Sequence, residues 1–335
     1  MHPATTQDVD WIEVPFRVLK EYAGRRLDAF LTARLGEKYS RMAVQKLIDG
    51  GLVSRACDRA LKRGSAPSAR RCRGARPVKA SARVDAGETV LIRYPRVEEP
   101  PVPHETMPVL HRDERIVVIS KPGGTLSHPT DKILHNTVTH LLAKQLERKV
   151  HLAHRLDRET SGAMVLALDA GAARSLYEQF VARGVRKEYL AVVFGAVAWT
   201  AKVVDAPLGA EGKAIRVRRC VGGAAGQSAI TEFRLLATNG RLSLISALPR
   251  TGRLHQIRAH LAHVGHPIVG DKLYCGDGEV YMKAVRNEVS RADLDALGAD
   301  RQLLHAWRLS FKHPGDGRPL SFEAPVPSDF PLRPR

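Results

Sequence analysis

Only four cysteines occur in 335 residues, Cys57, Cys72, Cys220 and Cys275, and no two of them form a C-x-x-C pair. That scatter argues against a disulfide frame or a thiolate zinc site and suits free thiols in a reducing compartment. Long apolar runs are missing too, which excludes a membrane-spanning helix. The first residues, Met1 to Val14, carry Asp8, Asp10 and Glu13 and lack the basic-then-apolar order of a secretory signal, so the cytoplasm is the expected compartment. There is no glycine-rich dinucleotide or P-loop signature and no H-E-x-x-H, and neither an organic cofactor nor a metal is expected. Acidic side chains are in deficit: 53 Lys and Arg face 35 Asp and Glu, a formal charge of +18. Such an excess favours a polyanionic partner such as RNA or DNA, although charge alone does not separate nucleic acid from an anionic membrane surface.

What is present is enough apolar sequence, 44%, to build a sizeable core in one large domain or two ordinary ones. After an expected tail over residues 1–15, Leu27, Phe30, Leu31 and Leu35 recur at helical spacing. A second helix is expected after Ser40 as its cap, with Val44, Leu47 and Ile48 on its apolar face and Gly50 and Gly51 at its end. Strands follow around Leu52 to Val53 and Thr89 to Ile92, so residues 16–95 form a small unit, helical first and stranded afterwards. Between the strands lies an arginine-rich insertion, about 55–83, in which Asp58 is the lone acid, which suits a loop on phosphate or a solvated tail. The proline-rich stretch 96–108 is the expected linker. From 109 to 335, strands alternate with fewer helices and with turn signals such as Asn239-Gly240, which indicates an α+β domain with a large mixed, mainly antiparallel sheet.

Chemistry is concentrated in three clusters. The first, His154-Arg-Leu-Asp-Arg-Glu-Thr-Ser-Gly162, precedes the apolar run Ala163 to Leu168 and places Asp157 at the lip of a buried strand, with Thr160, Ser161 and Gly162 as the turn. A carboxylate flanked by Arg155 and Arg158 is favoured in its charged form, which suits a nucleophile or electrostatic stabiliser; a surface salt bridge is the plainer alternative. The second is a strand from Lys187 to Phe194, whose alternation puts Lys187 and Tyr189 on one face. The third, Arg250 to Gly265, is a loop entering a helix with Leu254, Ile257, Leu261 and Val264 on its apolar side and His255 and Arg258 together on another. His260, His263 and His266 invite a zinc reading, but no acidic residue stands within that turn and only Asp271 offers a further ligand, so packing or RNA contact is expected of them. Asp113 and Asp271 are rival carboxylates by type, with turn or capping roles expected.

These clusters, taken in order with Ile119-Ser-Lys-Pro-Gly-Gly124, Ser127-His-Pro129, Gly265-His-Pro-Ile-Val-Gly-Asp271 and His305 to Pro314, resemble the RluA-type family of pseudouridine synthases. Arg25-Arg-Leu-Asp28 and Ser40 to Lys46 resemble the RNA-binding module of ribosomal small-subunit protein four. The resemblance implies an isomerase that turns uridine into pseudouridine in structured RNA, with large-subunit ribosomal RNA as substrate, or transfer RNA, and a monomer without cofactor. It further implies that Asp157 is the catalytic carboxylate, that Tyr189 stacks on the uracil, and that Arg258 pairs with the carboxylate. Arg155 would fill the space of the flipped nucleotide, and Lys187, His255, Arg25, Arg26, Ser40, Arg41 and Lys46 would contact RNA. Leu254 and Glu159 depart mildly from the family pattern. A non-catalytic RNA-binding or assembly factor on the same fold is the competing reading, and a metal-dependent hydrolase a third.

Overall fold

The structure is a computed structural model that describes residues 11–35, 41–55, 78–95, 99, 102, 104–130, 133, 135–212, 215 and 217–334. Ser40, Cys57, Cys72 and most of the arginine-rich insertion lie outside the described residues. The chain divides into two compact units between Glu98 and Glu99.

In the first unit, β1 (Trp11–Arg17), β2 (Val53–Arg55) and β3 (Thr89–Pro95) form an antiparallel sheet in the order β1-β3-β2. A strand therefore precedes the helices, and it begins inside the stretch expected to be a tail. The seven-residue pairing of β1 along β3 explains this, because it satisfies one edge of β3 while β2 satisfies the other. Helices α1 (Leu27–Leu35) and α2 (Arg41–Asp49) bury Leu27, Phe30, Leu31, Val44 and Ile48 with Val53, Val90 and Ile92.

The second unit is built on a ten-stranded sheet. Its strands are β4 (Val109–Arg112), β5 (Ile116–Lys121), β6 (His151–Leu152), β7 (Ser161–Ala167), β8 (Arg186–Phe194), β9 (Ala201–Asp205), β13 (Ile230–Thr238), β14 (Leu242–Pro249), β15 (Leu304–Lys312) and β16 (Pro319–Glu323). A separate small sheet holds β10 (Leu208–Ala210), β11 (Arg219–Val221) and β12 (Ala224–Gln227). The helices are α3 (Val138–Leu146), α4 (Ala170–Val181), α5 (Gln256–His263), α6 (Glu279–Arg286) and α7 (Arg291–Leu297). The main path runs β4-β5-β7-β15-β8-β14-β13-β9, and only the β7–β15 pairing is parallel.

Every residue of β7 is buried because both faces of the sheet are covered there. Met164 and Leu166 pack with Val138 and Leu142 of α3, while Ala163, Val165 and Ala167 pack with Ala172 and Leu176 of α4. That two-sided burial is why the strand appears in sequence as an unbroken apolar run. On the other half, Ala191, Val193, Ile245 and Ala247 face Ile257 and Leu261 of α5.

β15 lies between the strand that follows Asp157 and the strand that bears Tyr189, with Ala306 paired to both Gly162 and Tyr189. Gly162 has φ +113, and a Cβ there would stand 2.2 Å from the Ala306 carbonyl oxygen. Gly162→Ala is therefore expected to destabilise the protein by on the order of 3 kcal/mol, from backbone strain and overpacking together. Urea unfolding checks this, and parental stability would show that the two strands need no such approach.

Candidate active site

The N–H of Thr160 donates to the Asp157 carbonyl (3.1 Å), so the turn spans 157–160. Ser161 and Gly162, expected to be part of the turn, already belong to β7, because β15 pairs with both and the Ser161 hydroxyl stands 2.9 Å from His305 Nδ1.

The residues around Asp157 are pinned by the segment after β5. Ser127 Oγ donates to the Leu156 carbonyl (2.7 Å) and accepts from the Leu156 N–H (3.1 Å). Arg158 Nε donates to the Gly124 carbonyl (3.0 Å), and the Gly124 N–H donates to the Arg158 carbonyl (2.9 Å). Lys121, fully buried, donates to the carbonyls of Pro122, Thr125 and Arg158 at 2.9, 2.7 and 3.0 Å. Burial, then the Arg301 charge, pushes the Lys121 amine down to about 7, whereas three carbonyl acceptors favour its three-proton form. At the start of the segment, His154 Nε2 accepts from the Val165 N–H (3.2 Å) and its ring stacks on Phe180 at 4.6 Å. Burial, helped by Lys187, pushes His154 down to about 3, so it is a neutral packing group.

Asp157 faces α5. Arg258 Nη1 donates to Asp157 Oδ2 (2.9 Å), while its Nε and Nη2 donate to the two oxygens of Asp271 at 2.7 and 2.8 Å. Its guanidinium carbon also lies 5.1 Å from the Tyr274 ring centroid. A guanidinium held at two points by a buried carboxylate has little freedom left, so its Nη1 is aimed at Asp157. The Asp157 side chain is 26% exposed and the Arg258 side chain 10%. Burial alone would push the Asp157 carboxyl up; Arg258, then His255 and Arg155, outweigh it and hold the group below the ordinary range. His255 Nε2 stands 4.0 Å from Asp157 Oδ2, but burial and the Arg258 charge hold the imidazole down at about 4. At neutral pH the facing cations are therefore Arg258 and Arg155.

Tyr189 is half-buried, packed against the cores on both sides of the sheet centre. Burial, and then the Asp157 charge, pushes its phenol up, so it keeps its proton through the neutral range. Lys187, on the same strand face, is half-buried, with its ammonium 6.0 Å from the Phe180 ring centroid; burial lowers its pKa. Arg155 is exposed.

The third cluster differs from its helical expectation. α5 starts at Gln256, and His255 takes a left-handed conformation (φ 58) just outside it. The Gln256 amide explains the late start: its oxygen accepts from Thr251 Oγ1 (2.7 Å) and the Arg253 N–H (3.0 Å), and its nitrogen donates to the Ile230 carbonyl (2.9 Å). Leu254, expected on the apolar side, precedes the helix and is 40% exposed. His260 engages Thr231 Oγ1 through Nδ1 (2.9 Å) and the Ala206 carbonyl through Nε2 (3.0 Å), so both ring nitrogens are committed to packing contacts. Among the described residues no group of three or more His, Cys, Asp or Glu is placed to hold a metal ion.

The RNA pseudouridylate synthase family model matches residues 115–263. Ribosomal large subunit pseudouridine synthase D of Xanthomonas campestris is 34% identical over 92% of this chain and 87% of its own. The chain belongs to the RNA pseudouridylate synthase family. An uncharacterized RNA pseudouridine synthase of Chlorobaculum parvum is 32% identical, covering 98% of this pseudouridine synthase and 95% of the relative. The solved structure of human RNA pseudouridylate synthase domain containing 1 superposes with a TM-score of 0.55 at 25% identity, covering 68% of this chain and 86% of that one. The synthase is an isomerase acting on RNA, and its α+β fold is that of the family.

Four residues that hold this site were not singled out from sequence as site residues: Lys121, Ser127, Gln256 and, as the anchor of Arg258, Asp271. Asp271 also fills the turn role expected of it, accepting from the N–H groups of Leu273 (3.0 Å) and Tyr274 (3.1 Å). Asp113 likewise accepts from the N–H groups of Arg115 and Ile116, both at 2.9 Å. In the first unit Arg25, Arg26, Arg41 and Lys46 are exposed. Arg26 and Arg41 both bind the buried Asp28 carboxylate, whose pKa the Arg26 hydrogen bond, ahead of Arg41, brings down to about 2.

Proposed function

We propose that this synthase isomerises uridines of large-subunit ribosomal RNA, as a cytoplasmic monomer, with Asp157 as its catalytic carboxylate. The observation that carries the site assignment is the arginine-clamped, ionised and partly exposed carboxylate of Asp157 in the electrostatic reach of Tyr189. The substrate assignment is supported by relatives named ribosomal large subunit pseudouridine synthase D, 33% identical in Nitrosomonas europaea over 92% of this chain.

The reaction breaks the bond from a uracil nitrogen to the ribose, turns the base and joins a uracil carbon to the same sugar carbon, with no net change in atoms or oxidation state. An ionised carboxylate serves this as the nucleophile at the sugar carbon, or as the base that takes a ribose proton on the way to a glycal-like intermediate. Tyr189, a neutral phenol, gives the extruded uracil a platform, and the exposed Arg155 fills the stack the base has left. Lys187, and His255 at 4.0 Å from Asp157, serve as RNA contacts. The first unit docks the RNA as a module like that of ribosomal small-subunit protein four, with Arg25, Arg26, Arg41 and Lys46, and Ser40 beyond the described residues, against phosphate.

The deciding assay incubates purified protein with a large-subunit ribosomal RNA transcript and, separately, with transfer RNA, and separates nucleosides by chromatography, since mass alone does not register an isomerisation. Pseudouridine in the ribosomal transcript is the expected result; product only in transfer RNA would reassign the substrate.

The depressed pKa of Asp157 also fixes a pH dependence. A carboxyl held below its ordinary range keeps its charge to lower pH, so the acid limb of kcat falls below about 4, the usual carboxylate value. An inflection between about pH 5 and 7 in the rate on this transcript would show that the arginine clamp does not govern the group.

A further inference from the structure

Asp271 and Lys272 are neighbours in sequence, and each reaches a different part of the Asp157 turn. Asp271 acts through Arg258, whose guanidinium it fixes at 2.7 and 2.8 Å. Lys272 acts directly, donating to Glu159 Oε1 (2.7 Å), 113 residues away in the chain, and to the Asp300 carbonyl (2.7 Å). The other Glu159 oxygen accepts from the Gln302 N–H (3.1 Å), and the Glu159 carbonyl accepts from Arg301 Nη1 (3.0 Å). The turn that carries the pair is itself locked. Gly270 has φ +78, and a Cβ there would stand 1.8 Å from the Arg301 carbonyl oxygen, so this backbone can lie against residue 301 only as glycine.

We propose that Asp271 and Lys272 are a two-point positioning device for the catalytic carboxylate. Asp271 aims Arg258 at Asp157, and Lys272 grips the turn two residues further on; the inference rests on the reading that Asp157 carries the reaction. Neither residue contacts the reacting atoms, so their loss moves the carboxylate relative to the sugar and leaves RNA contacts such as Arg155 in place. A misplacement of about 1 Å is enough to cost up to a hundred-fold in rate. Glu159 has the length to meet Lys272.

The test measures kcat, KM and thermal unfolding of the full chain on a large-subunit ribosomal RNA transcript. It compares Lys272→Met, Glu159→Gln, their combination, Lys272→Arg, Asp271→Asn and Asp157→Asn with the parent. Lys272→Met and Glu159→Gln should each lose about ten-fold or more in kcat with KM within about two-fold, and the combination should be no worse than either. Lys272→Arg should recover most of the loss, and Asp271→Asn should raise the acid limb of kcat as Arg258 loses its anchor. Parental kcat in Lys272→Met and Glu159→Gln, losses that multiply in the combination, or losses confined to KM overturn the proposal. So does a kcat deficit that disappears at an assay temperature well below the variants' melting points. If Asp271→Asn does not fold, the Lys272 and Glu159 variants decide alone. Activity in Asp157→Asn would instead sink the assignment of Asp157, whereas an inactive Asp157→Asn beside a fully active Lys272→Met sinks the positioning role only.

Discussion

Asp157→Asn is expected to lower kcat by on the order of 10⁴-fold or more, the scale seen when a single essential nucleophile or base is removed. The fold should survive intact. Asn is nearly isosteric and its amide oxygen can still accept from Arg258 Nη1, while Arg258 keeps both bonds to Asp271. Because Arg258, with His255 and Arg155, outweighs the burial cost of the Asp157 charge, its loss removes some stability at neutral pH, so the melting temperature should fall modestly while unfolding stays cooperative. Pseudouridine formation by this variant at the parental rate would refute Asp157 as the catalytic group. Loss of activity in a variant that no longer folds would instead give the carboxylate a structural task beyond its ion pair with Arg258.

Arg258→Met is expected to damage both rate and stability. The guanidinium serves two carboxylates, one of them fully buried, and its removal leaves Asp271 without its cation and Asp157 without the largest influence that keeps it ionised. Breaking a buried ion pair on one side costs about 3–5 kcal/mol, which urea unfolding would register directly. For catalysis the sign follows from the competing causes at Asp157. With Arg258 gone, burial is the dominant influence and pushes the carboxyl up, so the acid limb of kcat moves toward neutrality and the rate at pH 7 falls. Arg258→Lys keeps a charge but not the fork, and should recover less than half of the lost stability. An acid limb that stays in place in Arg258→Met would show that Arg155 and His255 suffice to hold the charge.

Much of this was legible in the sequence, and for identifiable reasons. The buried strand β7 announced itself because two-sided burial demands an apolar residue at every position, and the hairpin of β13 and β14 because the Asn239 side chain caps its own turn, accepting from the N–H groups of Arg241 (3.1 Å) and Leu242 (2.8 Å). The basic excess and the ordered motifs pointed to an RNA-modifying isomerase, and they placed Asp157 and Arg258 as candidates. Other features were hidden. The strand before α1 does alternate, Ile12, Val14 and Phe16 with Glu13, Pro15 and Arg17, but the run is short, carries a proline, and its partner β3 lies more than seventy residues on. The start of α5 was misplaced because periodicity extends through Leu254 and His255, whereas the Gln256 amide ends the preceding loop by long-range bonds to Ile230 and Thr231.

The sequence by itself determined the local terms: which segments alternate or repeat with helical spacing, the net charge and hence the class of partner, and the chemical types assembled in each motif. Only the tertiary structure decided how those motifs act on one another. The ionisation of Asp157 depends on a guanidinium 101 residues away, itself oriented by a carboxylate that sequence alone assigned to a turn. Charge interactions and close backbone approaches depend on distance in space, and the folding of β15 between β7 and β8 sets those distances.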